Sequence, residues 1–223
     1  MKVIRLLNTF LIEEGNVKFG FTIKPIDFSF YNSERERNFR KLLKDIRINP
    51  FKIFEPIQEH SDRISYVSKG SYEILKTDAL YTFEKNLLLT VKTADCFPLF
   101  FWNKNTVGII HCGWRSLKKG IIKNLFKYIR ANKTQFFIGP GIRECCYRVG
   151  KEFYDFFKDF IDKRNKNLYL SLPKFIISEL TKNKVSLKNI IDSKLCTFCR
   201  EDLFFSYRRG DVKKRMLSFI IRV

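Results

Sequence analysis

The sequence predicts a mixed α/β, or α+β, fold: a large mixed β-sheet sandwich flanked by helices, built as a single domain over residues 1–223. Three observations carry this. Short apolar runs bounded by turn residues recur along the chain, the signature of strands. Two of them, 87–91 and 97–102, are apolar throughout but for Thr90, which marks strands covered on both faces. Four other stretches carry apolar residues at i, i+3 and i+4 instead, and their placement breaks any strict strand–helix alternation.

In chain order, residues 2–7 and 17–23 read as an N-terminal strand pair. "NSERERNFRKLLKDI" reads as a helix with Phe39, Leu42, Leu43 and Ile46 on one face and Ser33 as its cap. Strands follow at 51–57, 63–67, 78–83, 86–92, 97–102 and 106–111. Trp114, Leu117, Ile121, Leu125 and Tyr128 then predict one helix, with Lys118, Lys119, Lys123 and Lys127 on its other face. "TQFFIGPGI" reads as strand and turn, and 150–161 and 172–182 as helices. "FFSYRRGD" ends a strand, and two more strands lie at 188–193 and 214–223.

The start of the chain, "MKVIRLLNTFLIEEG", resembles an export signal only loosely. Arg5 and Asn8 break its apolar run and a small-x-small cleavage site is missing, so it reads as a strand and the protein as cytoplasmic. No stretch of eighteen apolar residues calls for a membrane span. The formal charge of +20 fits phosphate or nucleic-acid partners. The lysines are spread along the chain rather than gathered in an arm, which favours a compositional bias over a nucleic-acid groove. The six cysteines suit reduced thiols in a chain of this length. Cys196 and Cys199 form a lone CxxC with no second ligand pair nearby in sequence, weak evidence for a metal. Cys145 and Cys146 are neighbours, where a bridge is strained.

The chain has two histidines, and both fall at strand ends or loops. His60 lies in "PIQEHSDR", and His111 ends the apolar run "TVGIIH" before "CGWR". Cys96, in "TADC", lies in the turn between these two apolar strands. Sites in α/β proteins gather at such sheet edges. Two His and one Cys suit a zinc that keeps a fourth position open and acidifies a bound water. Asp95 is then placed to orient a ligand or accept a proton. A Cys96–His111 nucleophilic pair and plain packing remain open on the same residues. Copper fits less well. A blue-copper centre consumes both histidines and leaves none for a second copper cluster, and the only methionines are Met1 and Met216.

Further along, "IGPGIRECCY" brings Arg143 behind two glycines but lacks the Lys-Ser/Thr ending of a phosphate-binding loop. Tyr207, Arg208 and Arg209 in "FFSYRRGD" fit a phosphate, a stacked base or a surface ion-pair cluster.

In order, "TADC" with its following Pro, "HCGWR", "GPGIRECCYRVG" and "CTFC…FFSYRR…RM" resemble the laccase-domain family, whose members include polyphenol oxidases, purine nucleoside phosphorylases and a peptidoglycan-editing branch. The resemblance runs from about residue 58 to the C-terminus. It implies a zinc held by His60, Cys96 and His111, and a sandwich fold shared with deamidase toxins that use a Cys/His pair. It also implies phosphorolysis of adenosine, inosine and methylthioadenosine, and deamination of adenosine, with purine nucleosides and inorganic phosphate as partners. Asp95, Cys96, His111 and Arg115 become the catalytic candidates, and Arg143, Tyr207, Arg208 and Arg209 the substrate and phosphate contacts. The chain departs from the family in "QEHS", "HCGWRS" and "SYRRGD", and in Asn38-Phe39, where relatives carry Asn-Arg. The expected assembly is a monomer or homodimer. Two rivals stand beside this reading: a hydrolase that edits cell-wall precursors, and a basic nucleic-acid-binding protein with a vestigial site.

Overall fold

The computed structural model describes residues 1–72 and 75–223. The chain begins with strands β1 (Lys2–Arg5), β2 (Thr9–Glu14) and β3 (Val17–Thr22), followed by helix α1 (Arg35–Asp45). Next come β4 (Lys52–Phe54), β5 (Ile64–Tyr66), β6 (Ala79–Thr82), β7 (Leu87–Thr93), β8 (Phe97–Trp102) and β9 (Val107–Cys112). Helices α2 (Trp114–Lys118) and α3 (Ile121–Leu125) lead to β10 (Gln135–Ile138). The remainder is β11 (Arg148–Val149), α4 (Tyr154–Phe157), β12 (Ile161–Arg164), β13 (Asn167–Leu170), α5 (Leu172–Lys182), β14 (Ile190–Asp192) and β15 (Met216–Arg222).

Two six-stranded sheets form the centre, in the orders β1-β2-β3-β15-β7-β4 and β14-β10-β8-β9-β6-β5. Both are mostly antiparallel, with parallel pairs at β4–β7, β5–β6 and β10–β14. The strand periodicity of two sets the layers. Leu87, Leu89 and Val91 face the inter-sheet core with Phe100, Trp102, Val107 and Ile109, while Leu88 turns outward to Leu42 of α1 and to Ile46 just after it. From β8, Phe97, Leu99 and Phe101 face the opposite way, onto Leu117, Ile121 and Leu125 of α2 and α3 and onto α5. The expected sandwich flanked by helices is therefore present, and β7 and β8 are covered on both faces.

Several expected elements differ. The N-terminal pair is a three-stranded meander: the first strand stops at Arg5, and β2, in residues 9–14 outside either expected strand, pairs with both β1 and β3. Ser33 does not cap α1: Glu34 occupies that position without a side-chain bond. The helix expected over 114–128 breaks at Gly120, whose φ of +89° lies in the left-handed region. Only one α-turn forms in 150–161, and residue 161 instead opens a hairpin of β12 and β13. Its turn places Asn165 and Lys166 at φ of +45° and +64°, a two-residue connection matched to strand twist. "FFSYRRGD" is turn rather than strand end. Among the described residues no helix is long and apolar enough to cross a membrane.

Candidate metal centre and active-site cavity

Three segments meet at one end of the sandwich. Cys96 closes the turn between β7 and β8, His111 is the penultimate residue of β9, and His60 lies in the loop between β4 and β5. His111 pairs with Pro98 in the β8–β9 register, which brings it close to the start of β8 and so to Cys96. Ligand atoms of His60, Cys96 and His111 all lie within 4.8 Å of one another. The Cys96 sulfur is 3.9 Å from His60 Nε2, and the two imidazoles meet edge to face at 4.7 Å. Soft sulfur and two imidazoles at this spacing fit one zinc-sized ion, so the residues present suit the metal that the resemblance implies.

Backbone geometry holds these groups in place. His60 and Asp95 both have positive φ, +53° and +88°, which non-glycine residues adopt rarely and mostly under tertiary restraint. Asp95 accepts hydrogen bonds from Thr197 Oγ1 at 2.6 Å, Ser206 Oγ at 3.0 Å and the Arg208 N–H at 2.8 Å. Both of its oxygens are thus occupied. Through these bonds the carboxylate anchors the turn that presents Cys96, in keeping with the orienting role among its two expected ones. Gln58 makes a reciprocal pair with the backbone of Lys92, at 2.8 Å each way, and ties the His60 loop to β7. Beyond His111, Ser116 Oγ accepts the Gly113 N–H and donates to the His111 carbonyl, which fixes the entry to α2.

Asp95 lines the cavity, but the carboxylate that bonds the cluster itself is Asp78, a residue the sequence reading did not single out. It is fully buried and bonds His111 Nδ1 at 2.8 Å. It also accepts from Ser61 Oγ and from the backbone N–H groups of Glu59, His60 and Ser61. Burial opposes its ionisation, yet these donors win and hold it at about 2. Asp78 therefore fixes the His111 ring and the His60 loop together, leaving the other ring nitrogen of His111 for the site. Burial alone would raise the Cys96 thiol and lower the His111 imidazole. Their mutual attraction, with Asp78 and His60 assisting, reverses both, to about 6 for Cys96 and about 9 for His111.

The triad lies in the wall of a cavity of about 640 Å³. Phe30, Tyr31, Trp114, Tyr147 and Tyr207 supply aromatic surface, and Lys92, Arg115, Arg208, Lys213 and Arg215 supply positive charge. Arg115 lies over the Trp114 ring and Arg208 over Tyr147. Lys92 was not anticipated. It ends the apolar run of β7 almost fully buried, its ammonium over the Phe30 ring, and desolvation with the neighbouring Arg35 and Arg215 pushes it down to about 7. The available signal was a lysine closing an otherwise apolar strand.

The structure does not bring Arg143 or Arg209 to this cavity. Arg143 is buried in a bidentate pair with Asp192, at 2.9 and 2.7 Å. Arg209 bonds the carbonyls of Thr197, Phe198 and Phe204 and the carboxylate of Asp211, stitching the C-terminal turns together. Of the expected phosphate contacts, Tyr207 and Arg208 line the cavity, with Arg115 beside them.

The chain is similar to proteins over most of its length. It is 36% identical to a purine nucleoside phosphorylase of Aquifex aeolicus over 173 residues, covering 76% of this chain and 82% of that protein. A purine nucleoside phosphorylase of Clostridium acetobutylicum is 33% identical over 224 residues, covering 94% and 93%. Among solved structures, the hypothetical protein YfiH of Bacillus licheniformis superposes with a TM-score of 0.87 at 28% identity, over 98% of this chain and 97% of that one. YlmD from Geobacillus stearothermophilus superposes equally well, with a TM-score of 0.87 at 25% identity. Residues 32–223 match the family described as multi-copper polyphenol oxidoreductase laccase, and the chain belongs to that family.

Proposed function

We propose that this protein is a zinc-dependent purine nucleoside phosphorylase. In this reading it cleaves adenosine, inosine and methylthioadenosine to the free base and the sugar 1-phosphate, and also deaminates adenosine. The observation that carries the reading is the convergence in one cavity of the His60/Cys96/His111 cluster, an aromatic wall and a cationic rim. The relatives named as purine nucleoside phosphorylases support it. Both histidines of the chain stand in this one cluster, so no imidazole is left for a second copper cluster, and zinc is preferred to copper.

His60, Cys96 and His111 would hold the ion. Bound there, zinc supplies Lewis-acid polarisation and acidifies water. The protein's own groups carry the rest. Aromatic faces at Trp114, Tyr147 and Tyr207 offer stacking surface for a purine. Arg115 and Arg208 offer donors for phosphate, and Arg208 is held in place by its backbone bond to Asp95. In phosphorolysis a phosphate oxygen bonds the ribose C1′ as the bond to the purine nitrogen breaks. The base leaves with that electron pair and takes up a proton. Lys92, with a value of about 7, can give or take a proton near neutrality.

The test is to purify the chain, measure bound metal, and incubate it with adenosine, inosine and phosphate. Base release that depends on phosphate, together with bound zinc, is expected. A zinc-loaded sample that forms neither free base nor inosine overturns the reading.

A second reading is favoured by one observation. Cys96, His111 and Asp78 stand in series, thiol to imidazole to buried carboxylate, the arrangement of an activated cysteine nucleophile. A cell-wall precursor hydrolase, cleaving a mis-incorporated amino acid from a muramoyl nucleotide, would use it. Released serine from UDP-linked muramoyl-serine, with no base release from nucleosides, selects this reading.

A further inference from the structure

Four of the six cysteines stand together away from the cavity. Cys145 and Cys146 occupy the turn after β10, and Cys196 and Cys199 the loop between β14 and β15. The sulfurs all lie within 4.8 Å of one another, with Cys199 at 3.4 Å from Cys145 and 3.3 Å from Cys146. An ion with metal–sulfur bonds of about 2.3 Å sets tetrahedral sulfur–sulfur edges of about 3.8 Å. The two shortest spacings fall within about 0.5 Å of that edge and well beyond the roughly 2.05 Å of a disulfide. All four thiols are free. The lone CxxC thus has its second ligand pair after all, supplied from about fifty residues upstream.

A second feature points the same way. Backbone bonds fix the CxxC loop on either side of Cys196: the Gly141 N–H donates to the Leu195 carbonyl at 3.3 Å and the Arg200 N–H to the Cys196 carbonyl at 3.0 Å. Cys196 is buried, Cys146 half-buried, and Cys145 and Cys199 exposed, so the cluster is anchored within and open to solvent on one side. Four sulfurs with no nitrogen or oxygen ligand select a soft ion in tetrahedral geometry.

We propose that Cys145, Cys146, Cys196 and Cys199 form a second metal site that takes one zinc ion as a structural tetrathiolate. Each thiol releases its proton to solvent as its bond to zinc forms, and no electron is transferred. The site clips together two segments that already share weak backbone contacts: the Gly141–Cys196 bridge, and Thr197 N–H to the Gly141 carbonyl at 3.1 Å. Thr197 is also a hydrogen-bond donor to Asp95, so the clip braces the turn that presents Cys96. The proposal uses none of the cavity's ligands and stands or falls apart from the reading of that cavity.

The test is metal analysis of the full chain, purified in reductant. His111→Ala, which removes a cavity ligand, is expected to retain one zinc per chain. Reconstituted with cobalt, it should show the intense charge-transfer absorption of a tetrathiolate. Cys145→Ser/Cys199→Ser, at exposed positions and added to His111→Ala, should lose that zinc and that absorption, and a chelator should lower the melting temperature of His111→Ala but not of the triple variant. If the triple variant fails to fold, the His111→Ala arm decides by itself. A folded His111→Ala protein that binds no zinc even after reconstitution overturns the proposal. So does iron in place of zinc, or a disulfide between Cys199 and either neighbour detected by mass under the same reducing conditions.

Discussion

Gly113→Ala tests the candidate active site without removing any ligand. Gly113 has φ of −89° and ψ of 162°, extended values that alanine adopts freely, so the backbone resists nothing. The obstacle is space. A Cβ at this position falls 2.8 Å from His60 Cδ2, 3.1 Å from the Cys96 sulfur and 3.3 Å from His60 Nε2. Carbon atoms in contact prefer about 3.5–4.0 Å, so His60 must retreat by about 0.7 Å or more. Both neighbours are proposed ligands of one ion. Misplacement by about 1 Å at a reacting site costs on the order of 100-fold in rate. Zinc affinity should fall by about 10–100-fold, as when an outer support of a ligand is lost. The fold should lose only about 1–3 kcal/mol of overpacking energy, lessened because the His60 loop can shift. Calorimetric titration of zinc into metal-free protein reads the affinity, phosphorolysis reads the rate, and thermal melting by circular dichroism reads the fold. Wild-type zinc affinity and turnover in Gly113→Ala would refute the reasoning, as would loss of the fold with metal affinity intact.

Three further outcomes follow from the same geometry. Asp78 has a depressed folded value of about 2 against 3.8 in the unfolded chain. Its contribution is therefore present above pH 3.8 and lost as pH falls toward 2; it amounts to roughly 2 kcal/mol, and Asp78→Asn should remove it at neutral pH. Urea unfolding should show wild type and variant converging in acid, and a constant gap would contradict the assignment. Lys92 has the opposite linkage: its folded value of about 7 lies below the unfolded 10.5, so its charge is a penalty that is full below pH 7 and fades toward pH 10.5. Lys92→Met should raise the melting temperature most at mildly acidic pH while slowing phosphorolysis, and a lowered melting temperature would count against this. Arg143→Ala removes the bidentate partner of the buried Asp192 carboxylate and leaves it only Lys194, so it should cost at most about 3–5 kcal/mol in denaturant unfolding with zinc in the cavity retained; a loss confined to activity would return Arg143 to the phosphate-contact candidates.

Legibility in the sequence follows the range of the interaction. The buried central strands could be read directly, because Leu87–Leu89 and Phe97–Trp102 are apolar at every position and burial on both faces demands that. Cys96 and His111 could be found because one sits where an apolar run begins and the other where one stops. The β12–β13 hairpin was missed because its turn is Asn165-Lys166, without the glycine that usually marks positive φ. The helix over 150–161 was over-read because its Phe/Tyr stripe serves packing against Phe175 and Trp114 through single turns rather than one continuous helix. Arg143 and Arg209 looked like anion ligands because a guanidinium's preference for carboxylates, phosphates and carbonyls is the same in sequence; only the fold supplies Asp192 and the three carbonyls that claim them.

What the sequence conceals is the order of strands, and strand order decides both clusters. β6 and β9 pair antiparallel with Ala79 opposite Ile110, so Asp78, one residue before β6 pairing begins, must lie across from His111. No local pattern in "KTDALYT" announces that. β15 pairs antiparallel with β7, with Met216 opposite Thr93, so the turns that enter β15 lie beside the turn that leaves β7. Asp95 thereby meets Ser206 and Arg208 more than a hundred residues away. β10 and β14 pair in parallel, and parallel neighbours deliver the chain to the same sheet edge. The segment after Ile138 and the segment after Asp192 must therefore exit side by side. One carries Cys145 and Cys146, the other Cys196 and Cys199. Two cysteine pairs that are unremarkable apart become four ligands of one sphere through that single pairing, and both clusters draw on the same loop, where Cys196 faces one and Thr197 braces the other.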